Sequence, residues 1–192
     1  MLTKSKHENR IQMQIISIED LVPEDHILRA IDKSIDFDFI YKKVEHLYCL
    51  ETGRPSIDPV VLFKIALIQY MFGIRSMRQI IKEIQVNMAY RWFLGYGMTE
   101  KTPHFTTFGK NYERRFADST IFEQIFEQIL QEAMLCGFID TQAIFRDSPR
   151  VKVSVSKKKD AIELVKIEAK YYHEKLMKEL NVNIGAKKTL EN

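Results

Sequence analysis

Two cysteines, seven glycines, five prolines and one tryptophan are all that 192 residues contain of those four types. Cys49 and Cys136 lie far apart with no CxxC spacing. That excludes a disulfide framework or a structural zinc site and points to a reducing compartment, the cytoplasm. With no His partner suggested for either, they read as core thiols. So little Gly and Pro argues against a loop-rich β-sandwich and against a Gly-rich phosphate-binding scaffold. Long hydrophobic runs are also missing. The most apolar stretch, 60–72, is interrupted by Lys64 and Gln69, and it falls well short of the ~20 residues that cross a bilayer. The basic residues Lys4 and Lys6 lead into no apolar segment, so neither a signal peptide nor a membrane partner is expected.

What is present is a soluble globular balance: 45% hydrophobic, 29% charged and 11% aromatic residues, enough to bury a core. The net charge of +3 conceals an asymmetry. Residues 75–115 carry eight basic groups against three acidic ones, 116–145 carry five acidic and no basic, and 146–192 carry twelve basic against seven acidic. Two basic blocks flanking an acidic one are what a protein with two polyanion-facing surfaces would show. Solvated faces give the same count, and charge alone leaves the two readings level.

Helical periodicity dominates up to residue 137. After Pro23, the residues Ile27, Leu28, Ile31 and Ile35 recur at helical spacing, and Asp36 can cap a second short helix through Phe37, Ile40, Tyr41, Val44 and Leu47. Asp58-Pro59 is a strong helix start, an N-cap carboxylate followed by Pro at the first helical position. That helix is apolar nearly all round and should be central. Gly73 ends it. Ser76 to Gln79 reads as a capping box for a helix with Met77, Ile80, Ile81 and Ile84 inward. A third short helix carries Tyr90, Trp92 and Phe93 and ends at Gly95. This run has the organisation of a helix-turn-helix unit. Thr106 or Thr107 can cap a basic helix through Arg115, and Asp118 or Ser119 starts a long one ended by Gly137. The periodicity then changes. Residues 143–147 and 150–155 are short and β-branched, the second alternating, with Ser148-Pro149 between them as a turn, and this predicts a β-hairpin. Helical spacing returns from about Lys159 with Ile162, Val165, Ala169, Tyr172, Leu176 and Leu180. The expected fold is mainly α: a helical domain over 1–137, then over 138–192 a hairpin and a long C-terminal helix.

Several of these stretches are familiar. Gly53 to Lys64 (GRPSIDPVVLFK), Tyr70 to Gln79 (YMFGIRSMRQ), Tyr90 to Gly95 (YRWFLG), Leu21 to Arg29 (LVPEDHILR) and Pro103 to Phe108 (PHFTTF) occur here in order. Together they resemble bacterial insertion-sequence transposases with an InsH-type N-terminal domain, over roughly residues 15–160. The resemblance implies an N-terminal domain that binds double-stranded DNA at the element's terminal inverted repeats. It also implies an RNase H-like catalytic domain with an Asp-Asp-Glu triad holding two Mg²⁺ or Mn²⁺ ions for strand cleavage and transfer. The family's first Asp matches Asp147 in Asp147-Ser148-Pro149-Arg150-Val151-Lys152, where Pro149 and Arg150 depart from the usual Thr and His. The second Asp and the Glu lie further downstream in the family than this sequence reaches, so it reads as a truncated transposase whose triad is incomplete. It needs no cofactor alone and is expected to be inactive in strand cleavage by itself.

Candidate DNA contacts are Arg75, Arg78, Lys82, Arg91, Lys110 and Arg114 in the first basic block, and Lys152, Lys157 and Lys158 near the hairpin. Asp147 is the one candidate metal ligand and catalytic residue. Trp92, Tyr90 and Phe93 can stack on bases, but their helical spacing equally makes them core. Three functions compete: a transposase subunit, alone or associated with itself or the full-length enzyme and bound to nucleoid DNA; a stand-alone DNA-binding inhibitor of that enzyme; or a decayed reading frame.

Overall fold

In a computed structural model of the chain, residues 13–49, 56–117, 119–139 and 158–188 are described, with side chains of the last helix described over 161–180. The described residues form nine α-helices: α1 (Ile18–Leu21), α2 (Ile27–Ser34), α3 (Phe39–Val44), α4 (Pro59–Met71), α5 (Met77–Val86), α6 (Met88–Phe93), α7 (Phe105–Arg115), α8 (Ile121–Leu135) and α9 (Lys158–Lys188). A single 3-10 turn, Glu45–Leu47, follows α3.

α4 forms where Asp58-Pro59 says it should. The Asp58 carboxylate accepts from Val60 N at 2.7 Å, and Pro59 occupies the first turn, where its missing N–H costs nothing. Leu62, Phe63, Ile65, Ala66, Leu67 and Ile68 are all fully buried. At ~1.5–3 kcal/mol for each large apolar side chain taken from water, this one helix supplies a large share of the core. It ends at Gly73, whose φ of +61° is a left-handed conformation that a side chain would oppose. Around α4 the rings interlock: Phe63 stacks on Phe122 at 4.8 Å and meets Phe116 edge-on at 5.7 Å, and Phe126 stacks on Tyr172 at 4.5 Å.

Other helix starts use caps that the composition rules had not singled out. His26 Nδ1 accepts from Leu28 N at 3.1 Å to open α2, and His104 Nδ1 accepts from Thr106 N at 3.3 Å to open α7, displacing the threonines from that role. Ser76 Oγ accepts from Gln79 N at 3.1 Å, but Gln79 turns its own amide to Glu83 (2.8 Å), so only half of the expected capping box is made. Cys49 and Cys136 are exposed and do not join the core.

The C-terminal helix α9 runs antiparallel to α8, with Lys166 beside Glu127 (3.7 Å) and His173 beside Glu123 (3.6 Å). Its stripe Val165, Ala169, Tyr172, Leu176 and Leu180 is buried in the same hydrophobic cluster as α4, α7 and α8. The residues on both sides of the compositional boundary at 137/138 therefore share one core. Two polar ties reinforce the packing. Tyr172 Oη donates to Gln69 Oε1 (2.8 Å) and reaches Ala66 O (3.3 Å), and Met77 N donates to Glu179 Oε1 at 2.5 Å.

The mainly helical expectation fits, but its β-hairpin is corrected. There is no strand among the described residues, whose regular elements are all helices. The stretch where the hairpin was expected, 143–155, lies outside the described residues. α9 commits its apolar stripe to the helical core, so the described residues close that core with helices alone.

Candidate nucleic-acid interface

The run α4–α5–α6 presents only one of its helices to solvent. No residue of α4 or α6 is exposed, whereas α5 exposes Arg78, Gln79, Lys82, Gln85 and Val86. The spacing of 78, 82 and 85 places them in one stripe, opposite the buried Met77, Ile80, Ile81 and Ile84. Arg75, exposed in the preceding turn, extends the stripe upstream. The Arg78 guanidinium lies 4.4 Å from the centroid of the Phe105 ring, a cation–π contact joining the start of α5 to the start of α7. On α7, Lys110 and Arg114 are exposed four residues apart. Arg75, Arg78, Lys82, Lys110 and Arg114 make no ion pair with any described residue. Five cations, four on two neighbouring helices and Arg75 in the turn before α5, thus remain without an ion-pair partner among the described residues.

Arg91 does not belong with them. It is 2% exposed, and its guanidinium donates to Gly97 O (2.9 Å from Nε) and Glu100 O (2.6 Å). The same turn is closed by Tyr96 N donating to Arg91 O (2.9 Å) and by Gly97 N donating to the Glu100 carboxylate (3.0 Å). The expected DNA contact is corrected to a buried staple. Sequence could not separate Arg91 from Arg78, because both are arginines in short amphipathic helices. The difference is that Arg91 faces carbonyls of a loop that folds back over it.

The aromatic residues of α6 are structural. Tyr90 and Phe93 are buried. Trp92 lies under the Arg29 guanidinium (4.7 Å to the ring centroid), and its Nε1 donates to the Glu19 carboxylate. Arg29 also pairs with Glu19 and donates to Val22 O (3.0 Å). The Arg29 bond, then the Trp92 bond, hold the Glu19 carboxyl below its ordinary range. This clip fastens α1 to α2 and α6. Arg115 is likewise committed, stacked on Tyr48 (4.3 Å) and bonded to Asn111 Oδ1 (2.5 Å).

Asp147, Lys152 and Lys157 lie outside the described residues, and of Lys158 only its place at the start of α9 is described. Among the described residues no three His, Cys, Asp or Glu side chains are grouped to hold a metal ion, so those residues do not fit a two-metal centre. Likewise, no helix among them is long and apolar enough to cross a membrane. Residues 16–114 match the family described as Transposase domain (DUF772). That span takes in α1 to α7 with all but the last residue of α7, and every open cation named above. No curated protein and no solved structure matches the chain.

Proposed function

The chain belongs to the DUF772 transposase-domain family, and on that basis we propose that it is a DNA-binding component of an insertion-sequence transposase of the InsH type. Its ligand is duplex DNA, the terminal inverted repeats of the element. The exposed stripe of α5 with Arg75, and the Lys110 and Arg114 pair on α7, form the contact surface. One observation carries this reading: five cations on α5, its preceding turn and α7 are exposed and make no ion pair among the described residues. A solvated protein surface ordinarily intersperses charges of both signs; the exposed Glu113 does so beside Lys110 and Arg114 on α7, whereas the exposed charges of α5 and Arg75 are of one sign, as phosphate neutralisation favours.

The test is fluorescence anisotropy of the full chain with terminal-repeat duplex across a salt series. Each phosphate contact contributes about 0.9 to the slope of log affinity against log salt. The triple variant Arg75→Ala/Arg78→Ala/Lys82→Ala should therefore bind more weakly and flatten the slope by roughly two to three. Unchanged affinity and slope in a variant with a native circular dichroism spectrum would overturn the assignment of this face.

A further inference from the structure

We propose that α5 reads base edges in the major groove through its C-terminal half, with Gln85 and Val86 selecting the sequence, while backbone N–H groups of its first turn are bonded within this chain and not offered to phosphate. This rests on the duplex-binding role proposed above and adds a polarity and two residues that charge alone does not indicate.

Two backbone N–H groups in the first turn of α5 are engaged by side chains of this protein. Met77 N donates to the Glu179 carboxylate at 2.5 Å, Gln79 N donates to Ser76 Oγ, and the Arg78 guanidinium is stacked on Phe105. A helix N-terminus commonly takes a phosphate on its free N–H groups. Here a carboxylate delivered from α9, a hundred residues downstream, holds that place, and a second anion there would meet like charge. Base contacts from α5 therefore fall further along the helix, and the Arg75 and Arg78 side chains are left to meet phosphates of the flanking backbone.

The last two turns are open. Lys82 and Gln85 are exposed and make no hydrogen bond or ion pair among the described residues. Glu83, the one acid on the helix, is only partly exposed and is held by Gln79. Val86 is 76% exposed, the most exposed large hydrophobic side chain in any described helix. An apolar side chain this bare contributes nothing to folding, but it suits the 5-methyl group of thymine. The Gln85 amide suits the paired N6 and N7 of adenine. The partial negative charge at a helix C-terminus disfavours phosphate contact there, and Lys82 one turn back offsets it. A helix about 10–12 Å across with its side chains fits the roughly 12 Å wide groove. α4 and α6 offer no exposed residue that could take this role.

The experiment is selection by the full chain from a randomised duplex library, followed by affinity measurements for the enriched sequence and for random duplex. Wild type should enrich a motif containing adenine and thymine positions. Gln85→Ala and Val86→Ser should each lose preference at one position by about fivefold or more, with random-duplex affinity within about twofold of wild type. Replacing the thymine by deoxyuridine, which lacks the methyl, should cost wild type affinity and leave Val86→Ser unaffected. Lys82→Ala should weaken all sequences alike. If wild type binds duplex but both variants enrich the same motif with the same discrimination, the base-reading assignment falls and the duplex-binding role stands. A shift in oligomeric state for Val86→Ser with unchanged sequence preference would make this face a self-association surface and also overturn the inference. If wild type shows no salt-dependent duplex affinity, the duplex-binding role itself fails.

Discussion

Replacing Arg91 by Ala should unfold this protein more readily and should not act on DNA directly. The guanidinium is almost wholly buried and donates to two carbonyls, Gly97 O and Glu100 O, across the 94–100 turn. A hydrogen bond from a charged donor is worth about 1.5–3 kcal/mol, and each carbonyl left unsatisfied in a buried setting costs about 1–3 kcal/mol. These are not additive, and water will reach part of an opened turn, so the net loss should be about 3–5 kcal/mol. For a chain of this length about 2–4 °C of melting temperature accompanies each kcal/mol, which places the expected drop near ~10 °C. Arg91→Lys should recover only part of it, because an ammonium cannot span two carbonyls as the planar fork does. Thermal unfolding followed by circular dichroism reads the effect. DNA affinity measured well below the variant's transition should stay close to wild type. An unchanged melting temperature combined with lost DNA affinity would refute the staple and return Arg91 to the surface set.

Two buried tyrosines make a paired test. Tyr172→Phe should cost about 1–2 kcal/mol, because Gln69 Oε1 and Ala66 O lose their donor, while Tyr112→Phe should change stability by less than about 0.5 kcal/mol, because the Tyr112 hydroxyl has no partner to lose. Equal effects in urea titrations would contradict that contrast. Burial raises the Glu168 carboxyl above its ordinary value of 4.5, so its ionised form opposes the fold. Wild-type stability from this group is present below the ordinary carboxylate range and is lost as pH rises through the elevated value. Glu168→Gln should therefore be the more stable protein at neutral pH, with the gap closing in acid; a gap independent of pH would exclude ionisation as its cause. Asp58 both caps α4 and accepts from Tyr41 Oη at 2.8 Å. Asp58→Ala should cost about 1 kcal/mol and let the Tyr41 hydroxyl, pushed up to about 12 by burial and then by Asp58, titrate lower in an ultraviolet absorbance titration.

Much of the helical scaffold was legible in the sequence because its signals are local. Asp58-Pro59, Gly73, Ser76 and the apolar spacing of 77, 80, 81 and 84 act within one or two turns, and they place α4 and α5 within a residue or two of where they form. The ordered motifs likewise pointed to a transposase family, which the match over 16–114 supports. Which charges are open was not legible. Arg78 and Arg91 have the same chemistry in similar helices, and only the return of the 94–100 turn buries one of them. The roles of His26 and His104 as caps were also hidden, because an imidazole caps a helix only when its ring is held in the right rotamer.

The sequence alone thus determined helices, their inward faces and the family, since each depends on neighbours along the chain. Tertiary structure decided what lies across α5. Glu179 reaches its N-terminus and Phe105 receives its first arginine. Contacts spanning about a hundred residues leave no periodic trace, because their cost is loop closure and their reward is packing, and neither is written in local spacing.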